Sequence, residues 1–533
     1  MATLVNLDAM IHREDFEVGE EEAQADRLGK ELKLGELISS GITFNTLRKP
    51  DFQRETASWS PDRIAEFVKS FVDGDLIPAL IMWRSPRTGN NFVIDGAHRL
   101  SSLIAWVHDD YGDTLLSRPF FNGMIEPAQI KAARRTRELI DAEVGAYRDL
   151  ARYPAKPDSA PNAEALKRAR NMGSFTITLQ WVQGGAQMAE KSFFRINQSA
   201  AEIDPTELAL IKARRKPTAI ATRALIRAGT GHKYWSGFAP ATQDGIEQLA
   251  KEVYEDLFRP IVDYPIKTLD LPAAGTAYTA DSVKMVFDLV NYLVAPSAPG
   301  ELADDSDGSE TLRYLRSIRR SASRVFGKAP GSLGLHPGIF CYSVTGKFQP
   351  TAFIATIAFV RELDERAEFP RFTKVRGTFE RFLRSHLYFL NQIGSAKGSG
   401  TRSLPTVLTL YRRLMEACEQ PSNDDANILA YLQLSDGLGF LQEPTDEDRK
   451  YGRNFTRETK SAIFLKEALA RCPRCEICDG LLHFKAISFD HDVRREDGGM
   501  GDPDNGHLTH PYCNTGFKEQ LVAKERAGHS PGG

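Results

Sequence analysis

The chain has 533 residues, enough for about two to four domains, and its formal net charge is −3. This balance excludes a uniformly basic protein, so any surface that binds nucleic acid must be local. The longest apolar run, at 353–360, is far shorter than the roughly 18 residues that a membrane helix needs. The first residues lack the basic and apolar regions of a signal peptide. We therefore expect a cytoplasmic protein that contacts no membrane.

Changes in composition along the chain predict four segments. Residues 1–35 are polar and acidic, which is typical of a leader or adaptor segment. Residues 36–230 mix short strands with helices, 231–444 are mainly helical, and 445–533 form a small cysteine-containing module. A stretch rich in Ser, Gly, Asp and Pro at 296–309 predicts a linker or exposed loop. The expected fold class is therefore a multidomain α+β protein, with an α/β domain, a mainly helical middle and a small C-terminal module.

A strand followed by a helix is predicted near residue 95. Residues 92–94 are β-branched or aromatic, and Asp95-Gly96 is a tight-turn dipeptide. The helix that follows has an apolar stripe formed by Leu100, Leu103, Ile104 and Val107. Free N–H groups at such a helix start bind phosphate, and Arg99 would supply the countercharge. The local pattern by itself favours a simpler interpretation, a turn that binds nothing, with Arg99 in solvent.

Flanking motifs extend this region. They are Phe52-Gln53-Arg54, Trp59, Gly74 with Pro78, and Arg195-Ile196-Asn197. In order and spacing, residues 40–215 resemble the ParB-like N-terminal domain of GmrSD-type modification-dependent restriction proteins, which binds and hydrolyses a nucleoside triphosphate. The resemblance implies a nucleotide site made of Arg54, Asp95, Gly96, His98 and Arg99, with Arg195 and Asn197 nearby.

Two details limit what this resemblance implies. The family usually has two glutamines where this chain has Ala97 and His98, so nucleotide binding is better supported than hydrolysis. Arg195 and Asn197 also fit a role in supporting the loop before the next helix. That helix has its own local start signal, because Asp204 is a good N-cap and Pro205 a good first residue.

Four of the six cysteines lie between residues 472 and 513. Two pairs of metal-ligand residues, Cys475 with Cys478 and His510 with Cys513, have the spacing of a closed tetrahedral zinc site. The spacing alone also allows Cys472 with Cys475 as the first pair. Between the pairs, Asp490-His491 supplies the residue types that hold a cation and deprotonate a water.

Residues 450–520 resemble the HNH, or ββα-metal, endonuclease family. The resemblance favours Cys475 and Cys478 as the first zinc pair. It implies that Asp490 and Asn514 hold a magnesium or manganese ion and that His491 is the general base. Asn505 would brace the loop and orient His491, and Lys518 would contact a DNA phosphate. The alternative is a zinc ribbon that only binds DNA or protein.

Two histidines near the cysteines and two basic stretches elsewhere also stand out in the sequence. His483 and His507 are expected to be structural rather than metal ligands. Basic side chains at 212–233, and Arg313, Arg316, Arg320 and Arg324 on one helix face, are candidates for tracking a phosphate backbone.

We interpret the chain as a DNA endonuclease of an anti-phage or restriction system, acting on phage or modified DNA. A nucleoside triphosphate bound to the ParB-like domain would regulate it, and homo-oligomerisation is left open. The alternatives are a nucleotide-gated DNA-binding switch with a vestigial nuclease, and a toxin-like nuclease that acts on host DNA.

Overall fold

A computed structural model describes residues 4–16, 28–53, 55–200, 204–277, 279–294, 302–398, 400–444 and 453–521. The chain divides into two compact units, one of residues 1–220 with 230–237 and one of residues 221–229 with 238–533. Both helices and strands are present, as the predicted α+β class requires. No helix in the described ranges is long and apolar enough to cross a membrane.

The first unit is built on a six-stranded mixed sheet with the order β1-β3-β5-β4-β6-β2. Its strands are β1 (Arg13–Glu14), β2 (Glu31–Lys33), β3 (Leu47–Pro50), β4 (Leu80–Arg84), β5 (Asn91–Asp95) and β6 (Thr176–Trp181). Strands β1, β3 and β5 are parallel, β4 is antiparallel to β5 and parallel to β6, and β2 is antiparallel to β6.

Helices cover this sheet. They are α1 (Ile42–Thr46), α2 (Pro61–Asp73), α3 (Ala97–His108), α4 (Ser117–Phe120), α5 (Pro127–Glu143), α6 (Tyr147–Leu150), α7 (Ala163–Ser174), α8 (Ala186–Ala200) and α9 (Pro205–Lys212). The predicted strand and helix on either side of Gly96 are confirmed as β5 and α3. The predicted start of α9 is also confirmed, because the Asp204 side chain accepts hydrogen bonds from the N–H groups of Thr206 and Glu207.

The described part of the expected leader belongs to the first unit. Strand β1 pairs with β3, and β2 pairs with β6. Five apolar side chains before residue 17 are buried: Val5, Leu7, Met10, Ile11 and Phe16. Buried apolar area stabilises a fold by about 25 cal/mol per Å², so this segment is part of the core. The acidic composition of the segment did not indicate that role. The glutamates at 20–22 lie outside the described residues.

The regular elements described between residues 240 and 433 are all helices. They are α11 (Pro240–Phe258), α12 (Ala280–Val294), α13 (Ser309–Phe326), α14 (Pro337–Phe340), α15 (Pro350–Glu365), α16 (Phe369–Ser385), α17 (Tyr388–Lys397), α18 (Leu404–Cys418) and α19 (Asp425–Gln433). Before them, α10 (Pro217–Ile226) crosses the sequence division between the units. Of the predicted linker, 296–301 lies outside the described residues, and 302–308 leads into α13.

The C-terminal module contains α20 (Arg457–Ala470) and an antiparallel hairpin of β7 (Ser488–His491) and β8 (Gly506–Thr509). A π-helical turn, Cys513–Phe517, follows the hairpin. The module packs on the helical middle. Lys485 Nζ donates to the carbonyl oxygens of Glu255, Asp256 and Arg259, at 3.3, 3.3 and 2.6 Å, where α11 ends. A cation at a helix C-terminus is favourable because that end of the helix dipole is negative.

Candidate metal centre and nucleotide site

The four predicted zinc ligands meet in one cluster. Cys475, Cys478, His510 and Cys513 are all buried, and their ligand atoms lie within 4.8 Å of one another. The Nδ1 atom of His510 is 3.3 Å from Cys478 Sγ and 3.9 Å from Cys513 Sγ. Three thiols and one imidazole, buried and closed on all sides, are the donor set of a structural zinc site. The cluster is therefore compatible with zinc.

Neighbouring groups orient these ligands. His510 Nε2 lies 3.1 Å from the Leu481 carbonyl oxygen. Because a carbonyl oxygen only accepts, the ring proton lies on Nε2, and Nδ1 keeps the lone pair that binds a metal. The backbone N–H of His510 points at Cys475 Sγ, at 3.4 Å. Hydrogen bonds from Cys478 and Cys513 lower the pKa of the Cys475 thiol against the effect of burial. In the same cluster, burial raises the pKa of Cys478, and the hydrogen bond with Cys475 raises the pKa of Cys513. The convergence of the four buried ligand atoms, rather than the acidity of the thiols, therefore supports a metal site.

The rival ligand, Cys472, lies outside the cluster. Its thiol donates to the Leu482 carbonyl oxygen at 3.3 Å, and burial raises the pKa of Cys472 to about 11. Burial also raises the pKa of Cys478, so acidity does not distinguish the two thiols, whereas their positions inside and outside the cluster do. The structure therefore favours Cys475 with Cys478 as the first pair.

A buried ion pair on α16 contacts the segment 475–482, here called the zinc loop, and no pattern in the sequence predicts this pair. Arg376 Nε donates to Glu380 Oε1 at 2.6 Å, and each side chain is 1 % exposed. Glu380 Oε2 accepts the backbone N–H of Leu481, also at 2.6 Å. Arg376 also donates to the carbonyl oxygens of Leu333 and Gly334. An Arg–Glu pair four residues apart on a helix is usually solvated, so the pattern alone does not reveal this role.

Two of the four predicted catalytic residues, Asp490 and His491, lie at the end of β7. Asp490 lies opposite His507, and His491 lies opposite Gly506. Asp490 is bound by Lys518: the Nζ atom lies 2.9 and 2.8 Å from the two carboxylate oxygens and 2.9 Å from the His491 carbonyl oxygen. Lys518, expected at a DNA phosphate, is therefore an ion-pair partner of the expected metal ligand. Among the described residues, no hydrogen bond to the half-buried His491 imidazole is present.

Asn514 also docks on β7. Its Nδ2 donates to Ser488 Oγ at 2.9 Å and to the Phe489 carbonyl oxygen at 3.0 Å. Both contacts use the amide nitrogen. The amide oxygen of Asn514 is therefore left as the ligand atom that a hard cation would bind. The structure thus places Asn514 and Lys518 against β7, the strand that carries Asp490.

Asn505 holds the loop between the two strands. Its Oδ1 accepts the N–H of Val493 at 2.7 Å, and its Nδ2 donates to the carbonyl oxygens of Val493 and Met500. Its own carbonyl oxygen accepts the N–H of Asp492, the residue after His491. These contacts fix the backbone beside His491 and do not involve the imidazole ring.

His483 and His507, which were expected to be structural, lie outside the Cys/His cluster. His483 packs edge to face on His336 at 5.3 Å, and burial lowers the pKa of His483 to about 3. His507 Nε2 lies 3.7 Å from Asp492 Oδ1.

The predicted nucleotide residues cluster at the start of α3, with Gly96 as the N-cap. Gly96 has φ +94°, a conformation that L side chains rarely adopt, and no side chain caps the helix there. Arg99 is already engaged: it donates to Asp95 Oδ2 at 2.8 Å and to the Pro78 carbonyl oxygen at 2.6 Å. His98 Nε2 lies 2.8 Å from Ser58 Oγ, and its ring stacks on Trp59.

Three predicted nucleotide residues, Arg54, Arg195 and Asn197, do not belong to the start of α3. Arg54 lies outside the described residues. Arg195 and Asn197 are within α8, where Arg195 is exposed and lines an open groove with Glu190 and Lys191. A helix, rather than the expected loop, therefore carries both residues.

In both basic stretches, some of the arginines are paired with carboxylates or buried and so are not available to DNA. On α13, Arg313 pairs with Glu310, and Arg324 contacts Asp364 and the Gly331 carbonyl oxygen. Arg316 and Arg320 are exposed and have no ion pair among the described residues. In the other stretch, Arg214 pairs with Asp51 and Glu190, while Arg223 and Arg227 are buried. Only α13 keeps exposed arginines one helical turn apart.

Comparison with known proteins finds a family similarity for about a third of the chain. No curated protein and no solved structure matches the chain. Residues 34–214, which contain the β5–Gly96–α3 junction, match the family described as GmrSD restriction endonuclease, N-terminal domain.

Proposed function

We propose that the chain is a metal-dependent DNA endonuclease of a restriction or anti-phage defence system. The observation that carries the proposal is that Asn514 and Lys518 both contact β7, the strand that carries Asp490, beside a buried zinc-compatible cluster. A zinc ribbon that only binds DNA or protein does not need a carboxylate, an amide and an ammonium around one strand. The restriction-endonuclease match at residues 34–214 supports the same class of activity.

In the proposed reaction, His491 accepts the proton of the water that attacks the scissile phosphate, because histidine exchanges protons near neutral pH. Asn505 fixes the backbone next to His491. Asp490 and Asn514 offer the oxygen donors that suit a hard cation. A magnesium or manganese ion, when bound, would stabilise charge on the phosphate and on the leaving oxygen. The zinc cluster would hold the hairpin in shape and take no part in the chemistry.

In the N-terminal unit, the proposed ligand is a nucleoside triphosphate. The uncapped N–H groups at the start of α3 attract anions, and Arg99 lies beside them. Arg54, Asp95, His98, Arg195 and Asn197 complete the proposed site. Binding is better supported than hydrolysis, because Ala97 has no group with which to position a water.

The test is nicking of plasmid and of modified and unmodified phage DNA, with magnesium or manganese and with each nucleoside triphosphate. His491→Ala should lower the rate by about 10²–10⁴-fold, the usual cost of losing a general base. His507→Ala, in the same hairpin, is the matched control and should keep the wild-type rate. Zinc content and circular dichroism should be unchanged in both variants.

Each alternative function predicts a different result in the same experiment. DNA binding without nicking under any condition would favour a switch with a vestigial nuclease. Nicking of the host chromosome, with toxicity on expression, would favour a toxin-like nuclease. Wild-type cleavage by zinc-loaded His491→Ala would exclude His491 as the base.

A further inference from the structure

The Lys518 ammonium is fully engaged at the proposed metal site. An ammonium has three N–H donors, and its three contacts are the two oxygens of Asp490 and the carbonyl oxygen of His491. The ion pair is also enclosed, since the side chains of Lys518 and Asp490 are only 24 % and 12 % exposed. Enclosed charge pairs are screened by salt much less than pairs on an open surface.

The fold holds Lys518 in this position. The π-helical turn Cys513–Phe517 leads directly into Lys518, and such turns frequently occur at functional sites. Gly516 permits the turn, because a Cβ there would lie 2.5 Å from the Tyr512 ring. That ring is itself packed on Phe369, with centroids 5.2 Å apart. Lys518 is therefore not an ordinary mobile surface lysine.

A divalent ion at Asp490 would use the same carboxylate oxygens that Lys518 binds. Two cations on one carboxylate repel each other, and the repulsion is strong where solvent is partly excluded. An ammonium is also a common partner of phosphate, so a DNA phosphate offers Lys518 an alternative contact.

We propose that Lys518 is a positioning residue that competes with the divalent ion for Asp490, and that a DNA phosphate relieves the competition. The free protein then binds the divalent ion weakly, and DNA raises its affinity, because two ligands that relieve the same contact reinforce each other. This inference rests on the proposed function, since it takes Asp490 as a metal ligand.

A purely structural role for Lys518 predicts the opposite sign. If the ion pair only pins the C-terminal turn to β7, then removing Lys518 loosens Asp490 and weakens metal binding. Competition predicts tighter binding in the same variant. The sign of the change in affinity therefore separates the two roles.

The experiment measures Mn²⁺ binding by electron paramagnetic resonance on the zinc-loaded, full-length protein. Lys518→Met removes the charge and keeps an unbranched side chain that is one atom shorter. Lys466→Met makes the same change at an exposed position of α20 and is the matched control. We expect affinity for Mn²⁺ to rise about tenfold or more in Lys518→Met and to stay at the wild-type value in Lys466→Met. Lys518→Arg, which keeps the charge, should also resemble the wild type.

A second arm adds a duplex with uncleavable phosphate analogues. It should raise the Mn²⁺ affinity of the wild type and have little effect on Lys518→Met. Unchanged or weaker binding in Lys518→Met would overturn the inference while leaving the nuclease proposal intact. If Asp490→Asn does not reduce Mn²⁺ binding in either background, the proposed metal role of Asp490 fails as well. Should Lys518→Met lose its zinc, Lys518→Gln replaces it in the same comparison.

Discussion

The buried Arg376–Glu380 pair offers the sharpest test of how the zinc loop is held. Glu380→Gln keeps the shape of the side chain and removes its charge. The amide then has only one oxygen for two donors, Leu481 N–H and Arg376 Nε. Removing one partner of a buried pair costs about 3–5 kcal/mol. We expect the lower end, about 3 kcal/mol, since Arg376 keeps its contacts with the Leu333 and Gly334 carbonyl oxygens.

The assay is thermal unfolding of the zinc-loaded, full-length protein, together with the rate at which a chelator removes zinc. For a unit of about this size, 3 kcal/mol lowers Tm by about 5–10 °C. Glu365→Gln is the matched control, because Arg361 and Glu365 have the same spacing on α15 but are 44 % and 60 % exposed. An exposed pair contributes about 1 kcal/mol or less.

The result for Glu380→Gln can also refute the reasoning. A change in stability no larger than that of Glu365→Gln, with unchanged zinc release, would mean that the pair does not hold the loop. A double variant, Arg376→Met with Glu380→Leu, should be more stable than the sum of the single variants predicts, because it leaves no buried charge unpaired.

Three further predictions address the other sites. Cys478→Ser should abolish zinc binding, whereas Cys472→Ser should keep it; metal analysis with full zinc in Cys478→Ser would refute the ligand set. Arg99→Ala should lose triphosphate binding in calorimetry, and wild-type affinity in that variant would exclude the start of α3 as the site. Replacing both Arg316 and Arg320 with alanine should lower the slope of log affinity for DNA against log salt by about 2, and an unchanged slope would mean that DNA does not follow α13.

Features that depend on neighbouring residues could be predicted from the sequence. The β-branched and aromatic residues before Gly96 and the apolar stripe after it predicted β5 and α3, and Asp204 marked the start of α9. The spacing of the metal-ligand pairs predicted the Cys/His cluster. Spacing could not choose between Cys472 and Cys478, because that choice depends on how the chain folds back to His510.

Features that depend on distant residues could not be predicted. Strands β1 and β2 have only two and three residues, and their partners lie in β3 and β6, far along the chain. Lys518 was expected at a phosphate because its charge is visible in the sequence. Its contact with Asp490, 28 residues away, depends on the π-helical turn, for which the sequence has no clear signature.

The contacts that anchor the C-terminal module also determine whether it can be transplanted. Leu481 needs Glu380 as its acceptor, Lys485 needs the end of α11, and the Tyr512 ring needs Phe369. A fragment cut out at residue 445 and joined to another protein would leave all three partners behind. A design that moves this module to another protein should therefore include the helices from α11 onward.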